Sequence, residues 1–243
     1  MTPGDTILEV SNLTKRFGGL VAVNDMSFNV RKHEVMGIIG PNGSGKSTTM
    51  NLISGALKAS SGSIVLDGHD LTPLLPHKIA RFGVARTFQL VRILPHLSVL
   101  ENVIAGAAFS HRPCWGAEAE QFASDLLERL ELGAKKDLGI DSLTYIDQKR
   151  LELARALASE PEVLLLDEWL AGLNPSELKI GIELIANLRG EGRTIILVEH
   201  VMDAIRSLCD RCVVMNSGTK IAEGAPSEVL SDPEVIRAYL GDA

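Results

Sequence analysis

Residues 40–48 read GPNGSGKST, running Gly40, Pro41, Asn42, Gly43, Ser44, Gly45, Lys46, Ser47 and Thr48, and they fit the spacing G-x-x-x-x-G-K-[ST]. The glycines at 40, 43 and 45 let the backbone curl so that successive N–H groups face phosphate oxygens. A helix predicted from Lys46 onward turns the positive end of its dipole on the same anion. In that geometry Lys46 reaches the β- and γ-phosphates of a nucleoside triphosphate, Ser47 ligates Mg2+ and Thr48 helps to hold the α-phosphate. A random chain of this length matches the pattern about one time in a hundred.

A second constellation lies at VLLLDE, residues 163–168. The apolar run predicts a strand buried on both faces, ending at Asp167 where open α/β sheets place their ligands. An aspartate there holds Mg2+, directly or through water. Glu168 is one residue beyond, points the other way on an extended chain, and can act as general base on an attacking water.

These residues need elements to position them. Short apolar runs alternate with helical patterns, which predicts an α/β protein with a mainly parallel core sheet. ILEV and MSFNV read as early strands, EVMGIIG as the buried strand that feeds the glycine-rich turn, and SIVLDG as another strand. PHKIARF reads as a short helix with Pro76 near its start. From Val99 to about Ser159 apolar residues recur at three- and four-residue spacing, so this region is predicted to be a helical lobe, with the loop SHRPCWG inside it. The sheet resumes with EVLLLDE and RTIILVEH, and CVVMNSGTKIAEG reads as a hairpin around NSGT.

Bulk properties narrow the function. The 243 residues suit one large domain or a domain with an inserted lobe, and 45% hydrophobic with 23% charged residues is an ordinary globular balance. A formal charge of −7 argues against nucleic acid as a partner. No apolar run approaches the roughly 20 residues needed to span a bilayer, and MTPGDTILEV lacks the pattern of a secretory signal. The chain is therefore expected in the cytosol, with any membrane role exercised through a partner. Cys209 and Cys212 form a lone CxxC, half of a tetrahedral zinc site, and read as buried small hydrophobes.

In the order of GPNGSGKST, TFQ with Gln89, LLLDE, and VEH with His200, the chain resembles the ATP-binding cassette of ABC transporters, over nearly its whole length. KRFGGLVAV, RTFQLVRILPHLSVLENV, LAGLNP and VIRAYLG look more narrowly like ATPase subunits of high-affinity branched-chain amino-acid importers. The resemblance implies a single P-loop NTPase domain: residues 1–89 and 160–243 as nucleotide-binding core with an antiparallel β part, and about 90–159 as inserted helical subdomain. It implies that Phe17 stacks on adenine, against the alternative of a core phenylalanine. Gln89 would sense Mg2+ and γ-phosphate, and His200 would contact the γ-phosphate. Ala171–Asn174 would form a loop crossing to a second cassette. ATP and Mg2+ are the implied cofactors. The implied partners are a second ATP-binding subunit arranged head to tail, two transmembrane permease subunits and, indirectly, a solute-binding protein, at the cytoplasmic side of the membrane.

One stretch departs from the family. Where it has L-S-G-G-Q, or L-A-Y-G-Q in the importer branch, this chain has Leu143, Thr144, Tyr145, Ile146 and Asp147, with Gln148 expected to open the next helix. In the family this turn meets the partner's nucleotide. Thr144 keeps a hydroxyl. Ile146 replaces a glycine, which predicts added bulk and a conflict with positive φ, and Asp147 adds negative charge beside an anion. Losing one donor to a transferring phosphoryl costs about 3 kcal/mol, so weakened hydrolysis is expected. Three readings follow: an ATPase energising import of branched-chain amino acids or a related small polar solute, a nucleotide-responsive regulator with weak turnover, and a soluble P-loop kinase. Gln89, the helical lobe and His200 in cassette order count against the last. Trp169 and Val201 also depart from the family, with Trp169 expected at an interface or filling a gap.

Overall fold

The computed structural model describes residues 5–110 and 112–240. Met1–Gly4 of the N-terminal reading, His111 of the predicted loop and Gly241, which ends the VIRAYLG stretch, lie outside the described residues. In chain order the strands are β1 (Thr6–Phe17), β2 (Leu20–Arg31), β3 (Val35–Ile39), β4 (Ser61–Leu66), β5 (His69–Asp70), β6 (Val84–Arg86), β7 (Val163–Asp167), β8 (Ile195–Val198), β9 (Arg211–Asn216) and β10 (Thr219–Gly224). The α-helices are α1 (Lys46–Ile53), α2 (Pro76–Arg81), α3 (Val99–Ala108), α4 (Gly116–Arg129), α5 (Tyr145–Leu157), α6 (Pro175–Gly190), α7 (Met202–Leu208), α8 (Pro226–Val229) and α9 (Pro233–Leu240).

One sheet has the order β10-β9-β3-β8-β7-β6, parallel from β9 to β6 with β10 antiparallel at its edge. Its central strands VMGII, VLLLD and IILV are buried at every position, as strands covered on both faces must be. Alternate side chains feed two cores. Met36, Ile38, Leu165 and Ile196 pack with α1 and the second sheet, whereas Val35, Leu164, Leu166 and Leu197 pack with α5, α6 and α7.

The second sheet, β2-β1-β4-β5, is antiparallel. The runs ILEV and MSFNV are only parts of β1 and β2, each of which has 12 residues. Bulges between Val10 and Leu13 and again before Lys15 break the alternation, which is why the period hides the rest of the ribbon. The predicted NSGT hairpin forms, with Ser217 and Gly218 both at positive φ (48° and 83°), the backbone that a two-residue turn requires.

Between β6 and β7 the described chain is helical, with α3, α4 and α5 in mutual contact. Helix α5 begins three residues earlier than expected. Thr144 is its N-cap, and Tyr145, Ile146 and Asp147 form its first turn. The Thr144 and Asp147 side chains close a capping box, which satisfies two amide donors that a helix start otherwise leaves open.

Candidate nucleotide site

The parallel order brings the candidate site residues to one edge. The loop after β3, the end of β7, and the segments after β8 and β6 all lie at carboxyl ends of neighbouring strands. Gly40 and Gly45 hold φ of 151° and 103°, and a Cβ on them would stand 2.1 Å from the Met215 carbonyl and 2.5 Å from the Ala22 carbonyl. No other residue type lets the loop nest this closely against β9 and β2.

The loop borders a cleft of about 550 Å³, lined by Asn42 through Thr48 together with Phe17, Glu168 and Gly218. Gly40 and Pro41 are not among the lining residues; their carbonyls accept hydrogen bonds from Lys46 Nζ at 2.8 and 3.0 Å. Burial lowers the Lys46 pKa, against the raising pull of the Glu168 and Asp167 carboxylates. Phe17 ends β1 at the rim of the cleft, 45% exposed, which excludes the core-phenylalanine alternative; the Lys15 ammonium lies 4.9 Å from its ring centroid.

Glu168, Gln89 and His200 come together. Glu168 Oε2 accepts from Gln89 Nε2 at 2.6 Å, and Glu168 Oε1 lies 3.0 Å from His200 Nε2. Glu168 stands at φ 49°, in the left-handed region, with its amide bonded to the Val198 carbonyl at 2.8 Å. This backbone turn presents the carboxylate at the cleft while Asp167 stays in the strand. Asp167 is 3% exposed, and its Oδ2 accepts from Arg86 at 2.6 Å. Its Oδ1 is buried without a hydrogen-bond partner among the described residues. An orphaned carboxylate oxygen beside a P-loop, with the exposed Ser47 hydroxyl at the start of α1, is a donor set of the hard oxygen type that fits Mg2+. Sequence reasoning missed Arg86, whose signal was its place three residues before Gln89.

The N-terminus of α5 overturns both premises for a damaged turn. Ile146 is helical rather than at positive φ, and its side chain is 9% exposed, packed into the core that α5 shares with α3 and β7. It therefore does not stand over its own amide. Asp147 is 3% exposed and is no free charge: its Oδ2 lies 2.5 Å from Lys135 Nζ and 2.6 Å from the Thr144 hydroxyl, and Arg150 is 3.8 Å from Oδ1. Burial pushes the Asp147 carboxyl up, but Lys135 and Thr144 outweigh it and hold the pKa below the ordinary value. Thr144 and Tyr145 remain exposed; the Asp147 amide is taken up by the Thr144 hydroxyl, and the Tyr145 and Ile146 amides, which have no acceptor within a helix, are left at its end.

Helix α5 is wedged against the corner that carries Glu168 by buried polar groups that its charged sequence did not suggest. Trp169 is fully buried and donates from Nε1 to the Lys149 carbonyl at 3.2 Å, so it seals α5 to the strand end that carries Glu168. The Lys149 ammonium is buried without a hydrogen-bond partner among the described residues, 5.1 Å from the Tyr145 ring centroid. Burial lowers its pKa, against the carboxylates of Glu152, Glu199 and Glu168. Burial raises the Glu199 carboxyl to about 7, although the amides of Leu170 and His200 pull it down. Cys209 and Cys212 are buried beside β3, as expected of small hydrophobes.

The family model described as "ABC transporter" matches residues 23–171, and one described as "Branched-chain amino acid ATP-binding cassette transporter" matches residues 219–243. The chain is 42% identical, over 98% of both proteins, to the high-affinity branched-chain amino acid transport ATP-binding protein LivG of Salmonella typhimurium. It superposes with TM-score 0.88 at 33% identity on the ADP conformation of the ATP-binding cassette MJ1267, covering 98% of this chain and 100% of that one. The dimeric ATP-binding cassette MJ0796 bound to ADP and Pi matches with TM-score 0.81 at 26% identity, over 90% of this chain and 99% of that one.

Proposed function

The chain belongs to the ABC transporter family of ATP-binding proteins, and on that footing we propose that it hydrolyses ATP to energise import of branched-chain amino acids or a related small polar solute. The observation that carries the reading is the convergence of Gln89 and His200 on Glu168 at the mouth of the P-loop cleft. Among the described residues no helix is long and apolar enough to cross a membrane, so two permease subunits supply the path and a solute-binding protein supplies the cargo. The chain then docks at the cytoplasmic side of the membrane.

The P-loop amides and Lys46 hold the triphosphate, and Phe17 covers the adenine at the cleft rim. Ser47, Asp167 and Gln89 would hold Mg2+, which when bound would supply charge neutralisation to the triphosphate. Glu168 accepts a proton from the attacking water while Gln89 and His200 fix its two oxygens in direction. The Tyr145 and Ile146 amides in the first turn of α5, which the Thr144–Asp147 capping box leaves open, supply donors to the γ-phosphate on a second copy arranged head to tail, each copy completing the other's pocket. The region of about 90–159 moves as a helical lobe against a core of residues 1–89 and 160–243, and levers the permease.

The reading of a weakly hydrolysing regulator loses its basis with the Ile146 geometry. Ile146→Gly is expected to give no gain in ATPase rate in the assembled transporter. It should lower stability by about 2–4 kcal/mol, because a buried side chain is deleted from a packed core. Phe17→Ala is expected to weaken ATP binding about tenfold with no change in melting temperature, since it removes a stacking face and little core. The decisive experiment reconstitutes the chain with its permease pair in liposomes and measures solute uptake with ATP hydrolysis. Uptake of leucine, isoleucine or valine that stops without ATP supports the reading; hydrolysis indifferent to the permease and to solute overturns it.

A further inference from the structure

Helix α5 carries, beyond its exposed N-terminus, a carboxylate that the mechanism above does not use. Glu152 is 1% exposed. Its Oε1 accepts from the Arg92 amide at 2.8 Å and its Oε2 from the Phe88 amide at 3.3 Å. These two amides bracket Gln89. One buried side chain therefore holds both ends of the segment whose tip bonds Glu168.

The segment has few other anchors. Gln89 and Leu90 are exposed, Leu90 to 80%, so core packing does not set the path of the tip. Around its ends, the Arg86 and Arg92 guanidinium carbons lie 4.9 and 4.2 Å from the Phe88 ring centroid, and Arg155, one turn beyond Glu152 on α5, donates to the Arg92 carbonyl. The carboxylate can accept from two amides at once because both of its oxygens are acceptors; an amide side chain offers only one.

We propose that Glu152 is a positioning residue that ties Gln89 to α5, so that Gln89 is presented to Glu168 only while α5 is seated. The helix whose first turn meets the partner's nucleotide is then mechanically continuous with the residue that orients the general base. This inference rests on the catalytic reading of Gln89 and Glu168 given above, and it names the element through which a partner subunit's nucleotide would act on them.

The test is a double-mutant cycle in the full transporter, with Glu152→Gln and Gln89→Ala alone and combined, and Glu152→Asp as a second variant that keeps the charge but is one methylene too short to span both amides. Glu152→Gln and Glu152→Asp should each lower kcat about tenfold, as small misplacements of orienting groups do, with KM for ATP unchanged. In the Gln89→Ala background neither should lower it further, since residues acting through one another are non-additive. A full tenfold loss that persists without Gln89, or a rise in KM that tracks a lower melting temperature in both variants, overturns the proposal and leaves Glu152 a purely structural group. A slow Gln89→Ala beside wild-type rates for both Glu152 variants overturns the Glu152 assignment alone. Wild-type turnover in Gln89→Ala overturns the catalytic reading and this inference with it.

Discussion

Glu168→Gln is expected to leave ATP binding intact and to lower steady-state hydrolysis by about 10²–10⁴-fold, the range associated with a positioned general base. The substitution is isosteric. The remaining carbonyl oxygen can still accept from Gln89, and the left-handed backbone at residue 168 is strained equally by either side chain. What disappears is the capacity to take a proton from water. Gln89→Ala and His200→Ala should cost less than Glu168→Gln, because they loosen the carboxylate without removing it. In the proposed head-to-tail pair hydrolysis separates the two copies, so the Glu168→Gln protein is expected to accumulate as an ATP-clamped dimer, visible by size-exclusion chromatography with Mg·ATP. Turnover within about threefold of wild type would move the base elsewhere, because so small a change is under 1 kcal/mol in the barrier.

The P-loop and Asp167–Glu168 were legible in the sequence because their chemistry needs contiguous residues. The glycine spacing is fixed by the curl around phosphate, and the carboxylates follow directly on an apolar run that can only be a buried strand. The meeting of Gln89, Glu168 and His200 was not legible from the residues themselves. They are brought together by the adjacency of β6, β7 and β8, and strand order leaves no local trace. Resemblance alone suggested their roles. The error at Ile146 has a local cause. Placing the helix start at Gln148 made Ile146 a turn residue, whereas the Thr144-x-x-Asp147 pattern is itself a helix-start signature and would have put Ile146 on the inner face of the first turn. The same helix shows where polarity misleads. Lys149, Arg150 and Glu152 look like a solvated face, yet all three are buried because α5 is enclosed by the Glu168 corner, α3 and the Gln89 segment.

Lys46→Ala should weaken ATP binding at least about a hundredfold, so that ATP at about a hundred times the wild-type Kd fills no more than about half of the variant. Lys46 Nζ donates to the Gly40 and Pro41 carbonyls, and Lys46 is 5% exposed, so the ammonium is already desolvated and already aimed into its own loop. A triphosphate that replaces those neutral acceptors offers anionic ones. The ammonium then gains the attraction of an opposite charge that a neutral carbonyl lacks, and the desolvation was met on folding rather than on binding. Removing the lysine forfeits a charged contact of about 1.5–3 kcal/mol per bond, so affinity should fall at least about a hundredfold. Wild-type protein at a hundred times its Kd gains about 2.7 kcal/mol from the ligand, and the Lys46→Ala protein should gain almost none. Thermal melting with and without Mg·ATP reads this directly. An undiminished ATP-induced rise in Tm would mean that the P-loop amides hold the triphosphate alone and that Lys46 serves only to close the loop.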